Sequence, residues 1–324
     1  MVTLSDIRDA QARLHGVSVR TPVVLSHIHE NGPGQGSRKL YLKPENLQPI
    51  GAFKLRGAYN KIASLTPEER KRGVITYSSG NHAQGVAYAA RALGAPAVIV
   101  MPGNAPAIKR DATAELGARI VLVGPSSLER QQKAEELAQE NGYVIVPPYN
   151  DEQIIAGQGT IGLEILEDLP EVETVMVPVG GGGMISGVAT AIKLSKPSTK
   201  VIGAEPELAA DAQASLRAGK IVEIDADQTA RTAADGLRTQ SIGAINFEHI
   251  RRYVDDIVTV SELEIRQAMR RLADDPKTVA EPSGAVAVAA FLFHKEQLPN
   301  TRVNVAVISG GNIDPQLLQE IREA

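Results

Sequence analysis

Short apolar runs alternate with helical stretches along almost the whole chain, and that alternation restricts the possible folds more than any other feature. Residues 39–43, 74–78, 97–101, 119–123, 143–146, 174–179, 201–205 and 303–309 read as strands. Most are continuously apolar rather than alternating, the pattern of parallel strands covered on both faces. Residues 81–93, 106–116, 126–141 and 261–273 read as helices. The pattern predicts an α/β fold with a mostly parallel sheet. With 324 residues the chain has room for one large or two medium domains. There is no internal repeat, and Gly32-Pro33-Gly34-Gln35-Gly36 is the clearest flexible loop.

In open α/β sheets, ligands sit beyond the C-terminal ends of the strands. Three glycine-containing turns occupy such ends: Ser78-Ser79-Gly80-Asn81-His82, Gly180-Gly181-Gly182-Gly183, and Ser309-Gly310-Gly311-Asn312. The tetraglycine run lies between a strand and a helix expected to start at Met184. There, backbone N–H groups can converge on an anion, and the helix N-terminus adds partial positive charge. The loop holds no Lys or Arg, which suits a phosphate that stays bound rather than one being transferred. A literal G-x-G-x-x-G at Gly157, Gly159 and Gly162 is not read as a dinucleotide fingerprint. It follows a helical pattern, and Val177 stands where the ribose-binding acid would be. Close helix packing is the simpler explanation.

Lys54 sits among Ile50, Phe53, Leu55 and Ala58. Desolvation there would lower its pKa and favour covalent chemistry with a carbonyl. Taken alone it would be an ordinary surface lysine; beside a phosphate loop it becomes a candidate cofactor anchor. Two histidines, His27 and His29, lack the spacing and the cysteine support of a zinc site.

Ala52-Phe53-Lys54-Leu55-Arg56-Gly57-Ala58, the turn from Ser78 to His82, Gly180 to Met184, and Ser309-Gly310-Gly311-Asn312 together resemble the serine/threonine dehydratase and serine racemase family. These are pyridoxal 5′-phosphate enzymes of fold type II, the tryptophan-synthase-β type. The motifs come in the family's order, and the resemblance covers nearly the whole chain. Ala52 stands where close relatives commonly carry Ser. The resemblance implies a two-lobed α/β fold with the cofactor in the cleft between lobes. Residues 1–72 and 150–324 would form the large lobe and residues 73–149 the small mobile one.

The resemblance also implies roles. Lys54 would carry the cofactor and act as the base on the α-proton, and Phe53 would pack near the ring. Asn81 would bond the ring hydroxyl. Gly180, Gly181, Gly182, Gly183 and Met184 would bind the phosphate, and Ser309 would face the pyridine nitrogen. Ser78, Ser79, Gly80, Asn81 and His82 would bind the substrate carboxylate, with His82 chiefly structural. Ser79 would be the acid on the opposite face in a racemase. Glu205, Ala209 and Asp211 match the positions that bind Mg²⁺ or Ca²⁺ in metal-dependent members; otherwise they are ordinary acidic residues at a helix N-terminus. Arg130 is either a solvated helix arginine or a partner for an acidic substrate side group.

The expected reaction is β-elimination of water from L-threonine or L-serine, giving 2-oxobutyrate or pyruvate and ammonia. Serine racemisation and 3-hydroxyaspartate dehydration are the alternatives. A β-replacement enzyme or a non-catalytic binding protein on the same fold is more remote. The chain ends soon after Ser309, which suits a catabolic or racemase-type enzyme, and Pro147-Pro148-Tyr149-Asn150-Asp151 resembles the catabolic threonine dehydratase segment. A net charge of −4 argues against nucleic-acid or anionic-membrane partners, and the 3% aromatic content against base stacking. With no cysteine there is no disulfide framework and no Cys nucleophile, which fits a reducing cytoplasm. No apolar run reaches membrane-spanning length, and the N-terminus has no signal-peptide pattern. A homodimer is expected by resemblance.

Overall fold

The computed structural model describes residues 1–28, 38–105, 107–124 and 126–323. His29, Gly32 to Gly36 and Pro106 lie outside them. Ten strands are present among the described residues: β1 (Val24–Leu25), β2 (Lys39–Pro44), β3 (Val74–Tyr77), β4 (Ala97–Pro102), β5 (Arg119–Val123), β6 (Val144–Ile145), β7 (Thr174–Pro178), β8 (Lys200–Pro206), β9 (Asp256–Val260) and β10 (Val303–Ile308). They form two sheets, one of six strands in the order β1-β2-β10-β7-β8-β9 and one of four in the order β5-β4-β3-β6. Every pairing is parallel except that of β1 with β2.

The continuous apolar runs are explained by the layers. On one face of the larger sheet Leu40, Leu42, Met176, Ile202, Val258 and Ile308 pack under the helices Glu262–Leu272 and Pro282–Phe293. On the other, Val175, Val177, Val201, Ile257, Val305 and Val307 pack under Gly183–Ser195 and Ala244–Tyr253. Neighbouring residues point to opposite faces and both faces are dry, so alternation disappears from the sequence. The smaller sheet is covered the same way. Val74, Ile99 and Met101 meet the helices Lys54–Ala63 and Asn81–Ala92, and Ile75, Val98 and Val100 meet Ala134 and Leu137 of Ser127–Asn141.

Two strands differ from the sequence expectation. β1 has only two residues, and β9 is an edge strand whose Asp256 is exposed and Thr259 half-buried, so it lacks a continuous apolar run. The helix after the glycine loop begins at Gly183, one residue before the expected Met184.

Gly157, Gly159 and Gly162 lie inside the helix Glu152–Asp168, where they let other backbones approach. A Cβ at Gly157 would come within 2.6 Å of the Arg56 carbonyl oxygen, and one at Gly187 of the facing helix within 2.2 Å of the Ile155 oxygen. The same helices enclose an ionic group. The Arg56 guanidinium, fully buried, donates to both oxygens of Glu45 at 2.8 Å and to Glu164 at 2.6 and 2.8 Å. The Lys43 ammonium donates to Glu164 at 2.5 Å and to the Thr21 carbonyl at 2.6 Å. No helix among the described residues is long and apolar enough to cross a membrane.

Candidate active site

Lys54 opens the helix Lys54–Ala63, and the backbone before it is bonded to the turn that carries Ser309. Phe53 N–H donates to the Ser309 carbonyl at 3.0 Å, Gly311 N–H donates to Gly51 at 2.9 Å, and Ala52 bridges Gly310. Gly51 takes φ +72°, and a Cβ there would lie 2.3 Å from Asn312 Oδ1. Gly85 of the helix Asn81–Ala92 rests on Lys54, since a Cβ at 85 would meet the Lys54 carbonyl at 3.2 Å. The Lys54 amine therefore leaves a backbone fixed from two sides. Its Nζ donates to the Pro148 carbonyl at 2.7 Å and lies 5.2 Å from the centre of the Phe53 ring. Desolvation lowers its pKa to about 8, as the apolar neighbours predict.

Asn81 joins this group. Its amide nitrogen donates to Glu281 at 2.7 Å and its amide oxygen accepts from Asn312 at 2.8 Å. Gly80 caps the helix Asn81–Ala92 without a side-chain hydrogen bond, so the first-turn amides face an open turn. Ser78 Oγ accepts from Gly80 N–H at 3.3 Å. His82 is buried, with Nε2 3.0 Å from the Val146 carbonyl; burial and then the Lys54 charge push its pKa down to about 3. It is neutral at working pH and packs as part of the turn.

The glycine loop follows β7. Gly182 takes φ +92° and caps the helix Gly183–Ser195 with no side chain. A Cβ has no room at Gly181 or Gly182 and would be tightly placed at Gly180 and Gly183. It would lie 3.1 Å from Leu237 at Gly180, 2.3 Å from the Tyr149 ring at Gly181, 2.9 Å from Asn246 at Gly182 and 3.0 Å from Tyr149 at Gly183. The result is a cradle of main-chain N–H groups at an uncapped helix start, with no cationic side chain in the loop, the donor set a bound phosphate needs. Met184 is buried behind it. The Ser309 hydroxyl is also buried and donates to the Ser283 carbonyl at 3.4 Å.

The acidic pair lies at the end of β8. Glu205 accepts from the N–H groups of Ala212 and Gln213 at 3.0 and 2.8 Å, capping the helix Asp211–Ala218. Neither Asp211 oxygen makes a hydrogen bond of ordinary length within the described residues. Burial raises Asp211 to about 7, and burial with the Asp211 charge raises Glu205 well above its ordinary value. Two buried carboxylates with free lone pairs, beside the buried Ala209, suit a hard cation. No cluster of three or more His, Cys, Asp or Glu residues exists among the described residues.

Arg130 differs from the solvated reading. It is half-buried on the helix Ser127–Asn141, and burial lowers its pKa. The neighbouring Gln131 lines a cavity of about 270 Å³ together with Tyr77, Pro148, Tyr149, Ser241 and Gly243. Glu281 joins the site without a local signal in the sequence, because its contact with Asn81 spans 200 residues; Pro148 and Tyr149 carry only the Pro147-Pro148-Tyr149 run, and Asn312 lies in the Ser309 turn.

The profile of the family described as "Pyridoxal-phosphate dependent enzyme" matches residues 17–310. An L-threonine ammonia-lyase of Thermotoga maritima is 49% identical over 321 residues, covering 99% of this chain and 78% of the relative. An L-threo-3-hydroxyaspartate ammonia-lyase of Saccharomyces cerevisiae is 43% identical, covering 96% of this chain and 94% of the relative. The structure of maize serine racemase superposes with a TM-score of 0.92 at 39% identity, covering 98% of this chain and 96% of that one. The match over nearly the full length shows that this chain belongs to the pyridoxal-phosphate dependent enzyme family.

Proposed function

We propose that this protein eliminates water from a β-hydroxy amino acid, converting L-threonine or L-serine to 2-oxobutyrate or pyruvate and releasing ammonia. The observation that carries this reading is a lysine amine bonded to the Pro148 carbonyl, one residue from the Tyr149 ring that packs against a cation-free glycine loop; desolvation of that amine lowers its pKa. Identity with a threonine ammonia-lyase over nearly the full chain supports the substrate class.

Lys54 would anchor the cofactor, Gly180 to Met184 would hold its phosphate, and Ser309 would meet its ring nitrogen. When bound, the cofactor supplies the electron sink that makes the α-proton acidic. The protein's own groups do the rest. A desolvated amine is neutral in a useful fraction near neutral pH, so Lys54 Nζ can take the α-proton. The Pro148 carbonyl gives the same nitrogen a fixed acceptor. The uncapped start of Asn81–Ala92 offers its N–H groups to the substrate carboxylate, with Ser79 on the same turn. Ser309 would offer the ring nitrogen a hydroxyl rather than a carboxylate, which would not hold that nitrogen protonated. The β C–O bond breaks, the leaving hydroxide combines with one proton, the equivalent of the α-proton taken by Lys54, and departs as water, and hydrolysis of the released enamine yields the 2-oxo acid and ammonia.

The small lobe of residues 73–149 would close on the substrate and exclude water. Glu205, Asp211 and the Ala209 carbonyl would hold Mg²⁺ or Ca²⁺, as the buried Asp211 carboxylate favours. A cytoplasmic homodimer completes the proposal by resemblance, and light scattering tests the assembly. A second reading, 3-hydroxyaspartate as substrate, is favoured by the half-burial of Arg130, which precedes the cavity-lining Gln131. Steady-state assays with L-threonine, L-serine, D-serine and L-threo-3-hydroxyaspartate, scoring 2-oxo acid and inverted amino acid, decide between them. Fast 2-oxobutyrate formation without D-serine supports the first reading; a preference for hydroxyaspartate that Arg130→Ala abolishes replaces it with the second. Turnover of none of the four overturns both.

A further inference from the structure

Four consecutive glycines have great backbone freedom, so a tetraglycine cradle does not hold its amides convergent unaided. In this fold one neighbouring residue lies against two of the four positions. The Tyr149 ring covers Gly181, where a built Cβ would fall 2.3–2.4 Å from three ring carbons, and its Cα and Cβ lie 3.1 and 3.0 Å from the Cβ position of Gly183. The Tyr149 carbonyl accepts from Asn246 Nδ2 at 3.3 Å, and Asn246 in turn sits 2.9 Å from the Cβ position of Gly182. The next residue fixes the same wall, with Asn150 Oδ1 accepting from Ile245 N–H at 3.0 Å. On its other side Tyr149 is joined to Pro148, whose carbonyl accepts from Lys54 Nζ. A single peptide unit thus has the lysine at one end and the glycine loop at the other.

We propose that Tyr149 is a positioning residue for the cofactor. Its ring preorders the glycine loop for the phosphate, and the Pro148–Tyr149 peptide sets the distance between that phosphate and the Lys54 amine. The inference rests on the placement of the cofactor given above. It explains why Gly181 has no room for a side chain, and how a loop without cationic residues would hold an anion. Rigidity set before binding removes an ordering cost at binding.

The test compares Tyr149→Phe, Tyr149→Leu and Tyr149→Ala with the parent as apoproteins. Each is titrated with pyridoxal 5′-phosphate and, separately, with pyridoxal, following the absorption of the lysine-bound chromophore. Thermal unfolding of each apoprotein is recorded alongside. The expected result is a loss of about tenfold or more in affinity for pyridoxal 5′-phosphate in the Ala and Leu variants, of the size that lost preorganisation produces. Pyridoxal, which lacks the phosphate, should change less than about twofold, and Phe should behave as the parent because it keeps the ring. Unchanged affinity for the phosphorylated form in Tyr149→Ala overturns the proposal. So does an equal loss for both ligands with a lowered apo melting temperature, which marks a general structural role. If the parent and Lys54→Ala give the same spectrum with pyridoxal 5′-phosphate, the cofactor placement itself falls, and this proposal with it.

Discussion

Replacing Arg56 with Met removes the centre of a buried ionic group whose balance can be counted. Two cations, Lys43 and Arg56, face two carboxylates, Glu45 and Glu164, and all four are buried. The group is therefore neutral as it stands, and Arg56 alone makes four of its carboxylate contacts, at 2.6 to 2.8 Å. Without it, one negative charge is left in a dry interior. Breaking a buried pair in this way costs about 3–5 kcal/mol. With an unfolding entropy on the order of 2 cal/mol/K per residue, that loss lowers the melting temperature by roughly 4–7 °C.

The loss should depend on pH in a definite sense. Burial pushes Glu45 up, but Arg56 overrides it and holds the carboxyl below its ordinary value. In the parent, Glu45 therefore adds stability above its unfolded pKa, and that stability is lost as pH falls through the folded value. In Arg56→Met burial dominates and the carboxyl pKa rises above its unfolded value. The variant's deficit is then full above the raised pKa and shrinks as pH falls through it. Thermal and urea unfolding at pH 5.5 and about pH 8 would show a smaller difference from the parent at the lower pH. Arg56→Met combined with Glu164→Gln restores neutrality, leaving Lys43 with Glu45. The double variant should be less destabilised than the sum of the singles by about 2 kcal/mol. A loss under about 1 kcal/mol, a loss that does not vary with pH, or strict additivity would refute the reasoning.

Other outcomes follow from the same geometry. The rate at which the apoprotein attaches pyridoxal 5′-phosphate should rise with pH through about 8, where the Lys54 amine loses its proton, and level off above it; a rise continuing past about 10 would mean the amine is not desolvated. Adding Ca²⁺ or Mg²⁺ should raise the melting temperature, by about 2.7 kcal/mol of stability at a hundredfold excess over Kd. That gain should be larger at pH 8 than at pH 6, because Asp211 is half-protonated near 7, and it should vanish in Asp211→Asn. Gly187→Ala should cost at least about 1–3 kcal/mol, since its Cβ would lie 2.2 Å from a backbone oxygen, whereas Gly80→Ala meets nothing within 4 Å and should leave thermal unfolding unchanged.

How far the chain could be read in advance depended on whether a feature is local. Burial of β7 on both faces writes itself as Thr-Val-Met-Val-Pro, and the glycine loop shows as four residues in a row, so both were visible. The lowered pKa of Lys54 is legible in part, because apolar residues including Phe53 flank it within four positions, although its bonded partner Pro148 lies 94 positions away. β9 was not, since at the sheet edge Asp256 and Thr259 meet water and interrupt the run. The ionic group was invisible for a different reason. Arg56 looks like the exposed residue of an amphipathic helix until Glu164, 108 positions away, is brought against it. The same holds for Pro148, whose carbonyl takes the Lys54 proton donor across 94 positions. Such pairs exist only once helices Lys54–Ala63 and Glu152–Asp168 are in contact, and that contact depends on Gly57 and Gly157 having no side chains. Gly157, one of the three glycines of the literal G-x-G-x-x-G, is thus what lets Arg56 reach Glu164, and the helix that Arg56 fixes is the one that begins with Lys54.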